Sequence, residues 1–272
     1  MDGRLQLRVQ RYGWDRASAR YEDLWREALA PATHGVLHLA RLQSGERVLD
    51  VACGSGMLTR AALAAVGPRG EAVGCDVSAG MVAVAQAASI GCHFLRTDAQ
   101  AVGEVLPANH FDVVLCGLGL MYMPDPEASL TAMARCLRPG GRLVVSVWGE
   151  RSSCGWAGVF PIVDARVQSE VCPMFFRLGG GDTLRNALAG AGLQHVHTER
   201  LATTIDYADA TTACDAAFEG GPVALAYGRF DAPTRAAVRA EYLASLQRWA
   251  RAEGFVLPGE FVFGVGVRAS VP

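Results

Sequence analysis

The chain of 272 residues contains no lysine; all 25 of its basic residues are arginine. Without a lysine amine it can neither form an imine with a carbonyl substrate nor anchor pyridoxal phosphate, which excludes those enzyme classes. The eight cysteines (Cys53, Cys75, Cys92, Cys116, Cys136, Cys154, Cys172, Cys214) stand singly, with no C-x-x-C pair and no Cys/His spacing of a zinc site. They read as reduced core residues, small hydrophobes in effect, and no metal is expected. No apolar run approaches the ~18 residues of a membrane span. The polar stretch Met1–Arg20 lacks the apolar segment of a secretory signal, so the expectation is a cytoplasmic protein. A net charge of −2 leaves no basic surplus for nucleic acid or an acidic membrane. Arg4, Arg8, Arg11, Arg16 and Arg20 concentrate at the N-terminus, read as a solvated surface in preference to an anion-binding arm.

What the chain does have is apolar mass, 51% hydrophobic against 19% charged, enough for a full core. From Arg47 to Trp148 apolar runs alternate with helical patterns. Arg47–Val51, Ala72–Cys75, Cys92–Leu95, Phe111–Leu115 and Leu143–Trp148 read as short buried strands; Met57–Val66, Ala79–Ser89 and Asp125–Leu137 read as helices. The third helix has a clear start, with Asp125 as N-cap and Pro126 at its first position, and Arg138-Pro139-Gly140-Gly141 reads as the turn that stops it. Such alternation predicts an α/β fold, a doubly wound, mostly parallel sheet with helices on both faces.

After Trp148 the rhythm changes. Asp182 is placed to cap a helix through Ala191, Gln194–Thr203 reads as a strand, and Tyr207–Glu219 and Ala232–Ala252 read as helices. The last of these carries a stripe of Val238, Tyr242, Leu246 and Trp249, taken as a packing face. Phe261, Phe263, Val265 and Val267 alternate as a final strand. The expected organisation is an N-terminal helical cover (1–40), a cofactor-binding core (41–150), and lid helices with strands completing the sheet (151–272).

The site-bearing segment is Val48-Leu49-Asp50-Val51-Ala52-Cys53-Gly54-Ser55-Gly56, a strand running into Gly-x-Gly and then into a helix. Glycines there let a ligand approach backbone at a helix N-terminus. Nicotinamide enzymes use the same turn, but two features separate the cases. Thr59 holds the place of the third small residue, and Asp50 sets a carboxylate at the turn's mouth, which repels pyrophosphate and suits a ligand bearing an ammonium and a sulfonium. S-adenosylmethionine is therefore favoured over NAD. Asp76, ending the second strand, is placed to accept both ribose hydroxyls; Asp98, after the third, to accept from the adenine amino group. The carboxyl end of the fourth strand, Cys116–Leu118, opens where ligands of such sheets bind.

In combination, Val48–Gly56, Asp76, Asp98-Ala99-Gln100, Phe111-Asp112-Val113-Val114 and Leu137–Leu143 resemble class I S-adenosylmethionine-dependent methyltransferases of the quinone- and small-molecule-modifying type. The resemblance is close from Arg41 to about Trp148. It implies a seven-stranded sheet ending in an antiparallel hairpin, with a helical lid from the N-terminus and C-terminal insertions. It places Asp50, Ala52, Gly54, Gly56, Asp76, Val77, Met81, Asp98, Ala99, Cys116, Gly117 and Leu118 at the cofactor. Tyr21, Trp25, Met121, Tyr122, Trp156 and Phe160 are the expected substrate-lining residues, and His34, on the covering helix, the candidate general base. The acceptor is expected to be a small, largely apolar molecule methylated on oxygen or carbon by a monomer or homodimer, without nucleic acid. A base is optional, because displacement at a sulfonium draws much of its acceleration from proximity. Two alternatives stay open: a cofactor-binding protein with non-methylating activity, and a nicotinamide oxidoreductase.

Overall fold

The computed structural model describes residues 3–167 and 171–270. It opens with one helix, α1 (Gly3–Ala40), followed by β1 (Arg47–Val51), α2 (Met57–Val66), β2 (Glu71–Asp76), α3 (Ala79–Ala88), β3 (His93–Arg96) and a single turn, α4 (Val102–Val105). Then come β4 (Phe111–Gly117), α5 (Pro126–Cys136), β5 (Leu137–Trp148), α6 (Val159–Val167) and α7 (Thr183–Gly190). The chain continues with β6 (Leu193–Tyr207), α8 (Ala210–Glu219), the short α9 (Ala224–Tyr227), α10 (Ala232–Leu246) and β7 (Phe255–Arg268).

The seven strands lie in the order β3-β2-β1-β4-β5-β7-β6. β1 to β5 run parallel to one another, while β7 runs antiparallel between β5 and β6. The order reverses between β1 and β4, so their carboxyl ends open a crevice at the switch point, where ligands of doubly wound sheets sit. Val48, Leu49, Val51, Val113, Val114, Leu115, Val144 and Val145 are buried in the centre of the sheet. Strands covered on both faces need such continuous apolar runs rather than alternation.

Local chemistry sets the helix ends. Asp125 accepts from the Ala128 amide at 2.8 Å with Pro126 behind it, and the Ser78 hydroxyl accepts from the Met81 amide at 3.1 Å. Both satisfy amides that a helix start leaves without partners. The Arg138–Gly141 segment departs from expectation. It is taken into β5, with Gly140 in the left-handed region (φ 75°) and a register shift opposite Phe111 and Val113. The chain bends through a bulge in place of a turn, because Leu137 already pairs with β4.

α1 crosses α3, α8 and α9 and packs back along β5. Its buried positions, Gln6, Gln10, Gly13, Ala17, Trp25, Leu29, Ala32, Val36 and Ala40, recur at steps of three and four, with one double step from Ala17 to Trp25, and form one stripe down the helix. Gly13 lets the helix meet the loop before α9: a Cβ there would stand 2.7 Å from the Pro222 carbonyl oxygen. No helix among the described residues is long and apolar enough to cross a membrane.

Candidate active site

The crevice continues under α1 and the α8–α9 loop as a single cavity. At one end it is lined by Ala52, Gly54, Asp76, Val77, Met81, Asp98, Ala99, Gly117 and Leu118. At the other stand Trp14, Tyr21, Trp25, Tyr122, Trp148, Trp156, Phe160 and Phe175, roofed by Gly220–Val223.

The polar end is built from strand ends. Asp76 closes β2, and its two carboxylate oxygens accept from separate backbone amides, Gly54 at 3.0 Å and Ser78 at 2.8 Å. One side chain thus ties the glycine turn after β1 to the start of α3. Burial raises its pKa above the ordinary carboxylate range, against those two hydrogen bonds. Asp98 lies after β3, and one of its oxygens accepts from the Gln100 amide at 3.1 Å. Gly54 and Gly56 both take the left-handed conformation (φ 55° and 81°). A Cβ on Gly56 would meet the Phe94 ring at 3.0 Å. Ala52 (φ 58°) and Leu118 (φ 56°) also adopt it, at the two strand ends flanking the switch point. For side-chain-bearing residues this costs roughly 1–2 kcal/mol each, and such strain gathers at functional sites.

Asp50 sits elsewhere than its place in the sequence implies. It is buried beneath the turn, 1% exposed, and does not line the cavity. Its Oδ2 accepts from the Thr59 hydroxyl at 2.6 Å, while Oδ1 has no partner. Strand alternation explains the placement: Asp50 pairs with Gly74 within the sheet, and the chain turns out toward the crevice only from Ala52. Burial, then the nearby Asp76 charge, pushes its pKa up to about 7 against the Thr59 hydrogen bond. Cys116 is likewise fully buried below the rim, its thiol pushed up to about 12 chiefly by burial, and Gly56 supports the turn from beneath. Met121 is core, 1% exposed. These four stand behind the cavity wall.

The apolar end is a connected set of rings. Trp14 meets Tyr21 edge-on (5.5 Å, 89°) and Tyr122 (5.0 Å, 82°). Tyr122 meets Phe175, Phe175 meets Trp156, and Trp156 meets both Trp148 and Trp25. Desolvation pushes the Tyr21 and Tyr122 phenols far above their usual pKa, so they stay protonated. Tyr21, Trp25, Tyr122, Trp156 and Phe160, the residues expected at the substrate, line this cavity. His34 does not: it is exposed on α1, beside Gly35, which packs against the Phe263 ring of β7. The cover reaches the cavity only through its earlier turns, from Leu7 to Leu29.

Sequence reasoning missed Gln10, Trp14, Trp148, Tyr242 and the Pro222–Val223 roof. Only Tyr242 had a signal, in an apolar stripe, and that pattern does not separate a cavity wall from ordinary core.

Residues 48–141 match the family model described as a methyltransferase domain. Over 147 residues the chain is 35% identical to the ubiquinone/menaquinone biosynthesis C-methyltransferase UbiE of Pseudomonas paraeruginosa, a match covering 50% of this chain and 56% of that protein. The chain thus spans about half the length of the curated relatives it matches. Among solved structures, phosphoethanolamine N-methyltransferase 2 of Haemonchus contortus in complex with S-adenosyl-L-methionine superposes with a TM-score of 0.58 at 16% identity, covering 94% of this chain and 57% of that one. The [4+2]-cyclase SpnF superposes with a TM-score of 0.55 at 21% identity, covering 91% and 83%. Residues 48–141 thus form a methyltransferase domain, set in a fold of the Rossmann-like, class I methyltransferase type. About half of the chain is similar to ubiquinone/menaquinone biosynthesis C-methyltransferases.

Proposed function

We propose that the protein transfers a methyl group from S-adenosylmethionine to a small, largely apolar, uncharged acceptor, on carbon or oxygen. The observation that carries this reading is the continuity of the cavity: a carboxylate-bearing rim at the sheet's switch point opens directly into an aromatic chamber under α1.

The rim suits that cofactor better than a dinucleotide. Its two lining carboxylates, Asp76 and Asp98, and the buried Asp50 with an unpartnered oxygen behind the turn give a negative field. A pyrophosphate is repelled by such a field, and a cationic ligand offsets it. Asp76 keeps lone pairs beyond its two amide bonds to hold ribose hydroxyls. Asp98 with the Ala99 backbone serves the adenine edge. When bound, S-adenosylmethionine supplies a methyl group already activated on a sulfonium. What remains for the chain is to orient the acceptor and exclude water, which together reach about 7–11 kcal/mol for well-aligned reactants. Among the described residues no histidine lines the chamber, and its Tyr21 and Tyr122 phenols stay protonated. Residues of this cavity therefore serve as walls rather than as a general base, which fits an acceptor needing little deprotonation. The name of the UbiE relatives supports carbon as the acceptor atom, over the half of the chain that matches.

A second reading is favoured by the SpnF superposition, since a protein named a [4+2]-cyclase shares this fold. The same cavity would then use the bound cofactor as a structural element while the chamber orients a reacting olefin. Incubation with methyl-labelled S-adenosylmethionine and a pool of apolar metabolites separates the two. Label appearing in an extracted product supports methyl transfer; cofactor binding without label in any product refutes it.

A further inference from the structure

A second pocket, of about 310 Å³, lies where the covering helix meets the C-terminal helices. Arg16 and Arg20 of α1, Glu219 at the end of α8, Tyr227 and Gly228 at the end of α9, and Arg235 of α10 line it. Glu219 and Ala224, another lining residue, flank Gly220–Val223, so this pocket holds both ends of the loop that roofs the aromatic chamber. Its charges do not balance. Arg20 pairs with Glu219 and, at 3.0 Å, with Asp215; Arg239 of α10 takes the other Asp215 oxygen at 3.0 Å. Both carboxylates are thereby engaged. Arg16 and Arg235 reach no carboxylate among the described residues. Arg235 donates to the Gly228 carbonyl at 3.0 Å and stands 5.4 Å from the Tyr227 ring centroid. Arg16 comes to the same glycine from α1, where a Cβ would run into its guanidinium. Repulsion alone would send Arg16 outward into water; it lies instead on Gly228, beside Arg235. Four guanidiniums around one pocket thus meet two carboxylates, which leaves a surplus of two positive charges.

We propose that Arg16 and Arg235, with Arg20 beside them, bind a phosphate group, as the free ion or as a monoester, and that the bound group ties α1 to α9 and α10 at the chamber's roof. A phosphate group carries roughly two negative charges near neutral pH, which matches the surplus; a carboxylate offsets only half of it. Guanidinium forks present paired N–H donors at the spacing of phosphate oxygens. The donors come from two elements and their common seat, Gly228, from a third, so an anion among them draws the cover and the roof together. All of these residues lie outside 48–141, so the matched domain does not supply the site. The proposal stands whichever cofactor the larger cavity takes.

The test follows thermal unfolding of the full chain against inorganic phosphate and against glycerol 2-phosphate, with ionic strength held constant by sodium chloride. The melting temperature is expected to rise with at least one of them and to level off, as for a ligand held by the folded state. Arg16→Ala and Arg235→Ala each raise the half-saturating concentration about tenfold or more, through lost charge-assisted hydrogen bonds. Gly228→Ala keeps every charge but unseats Arg16, and raises it about threefold or more. Arg248→Ala removes an exposed arginine from outside the pocket and leaves it unchanged. Bound phosphate slows amide exchange in residues 13–20 and 220–228 and leaves the sheet as it was. Tighter binding of glycerol 2-phosphate assigns the site to a monoester, tighter binding of phosphate to the free ion. No saturable rise with either, or the same half-saturation in wild type and Arg16→Ala, would overturn the site. Saturation with unchanged exchange in both segments would overturn the tie between cover and roof.

Discussion

Asp15 of the covering helix and Ser78 of the cofactor turn share a hydrogen bond of 2.6 Å, the hydroxyl donating to the carboxylate. The same Asp15 oxygen accepts from the Gly80 amide at 3.0 Å, while the Ser78 amide donates to Asp76. A carboxylate of α1 thus caps α3 in trans and is joined through Ser78 to Asp76, the residue proposed to hold the ribose. Gly80 permits the approach, since a Cβ there would lie 3.1 Å from the Asp15 carbonyl oxygen.

Removing this latch has a defined consequence. Asp15→Ala is expected to lower stability by about 1–2 kcal/mol, the range for a lost N-cap. Amide hydrogen exchange should quicken in the first half of α1 and at residues 78–81, with the β-sheet amides unchanged. Urea unfolding together with exchange mass spectrometry reads both effects; uniform quickening throughout the chain would assign Asp15 a general rather than a latching role.

The raised pKa of Asp50, about 7, fixes the sign of a pH effect. Its unfolded value lies near the ordinary 3.9, so the folded state holds its proton more tightly. The stability this gives is complete below the unfolded pKa and drains away as pH rises toward 7. One group contributes a slope of at most about 1.4 kcal/mol per pH unit. Asp76, shifted in the same direction, adds to it. Asp50→Asn should flatten the fall in stability of the ligand-free protein between roughly pH 4 and 7. A cationic ligand favours the ionised form, so S-adenosylmethionine affinity should climb with pH through about 7 in wild type and climb less in Asp50→Asn.

Glycine at position 56 is required twice over, by its left-handed φ of 81° and by the Phe94 ring 3.0 Å from where a Cβ would stand. Gly56→Ala is expected to cost about 1–2 kcal/mol or more in thermal or urea unfolding. Gly190, in the last turn of α7 with nothing within 4 Å of a Cβ, is the contrast. Gly190→Ala should be neutral or stabilise by up to about 1 kcal/mol. Equal costs at both positions would remove the steric explanation.

Much of the sheet and of the cavity rim at its switch point was legible because it rests on local patterns: apolar runs of strand length, Asp and Ser caps, and glycines where φ turns positive. α2 falls on Met57–Val66 and α5 lies within one residue of expectation. The illegible parts each have a physical reason. Which face of a strand end a carboxylate takes depends on where the chain leaves the sheet, and that moved Asp50 behind the wall. The polar N-terminus read as solvated surface because its buried stripe begins with Gln6, Gln10, Gly13 and Ala17, amides and small residues that make no hydrophobic period. Tyr242 read as packing, and it does pack, against Phe218 at 5.5 Å, while also lining the cavity. His34 drew notice by its chemistry alone, but the helix carries it past the site to β7, where it stays exposed.

Isothermal titration of S-adenosylhomocysteine and of NADH into wild type and Asp76→Ala bears most directly on the grip of a sulfonium nucleoside by the β1–β2 rim. S-adenosylhomocysteine should bind wild type and bind Asp76→Ala on the order of a hundredfold more weakly, the loss of two charge-assisted hydrogen bonds. NADH should give no binding heat. Binding of NADH with none of S-adenosylhomocysteine, or full affinity in Asp76→Ala, would show that the rim serves another ligand.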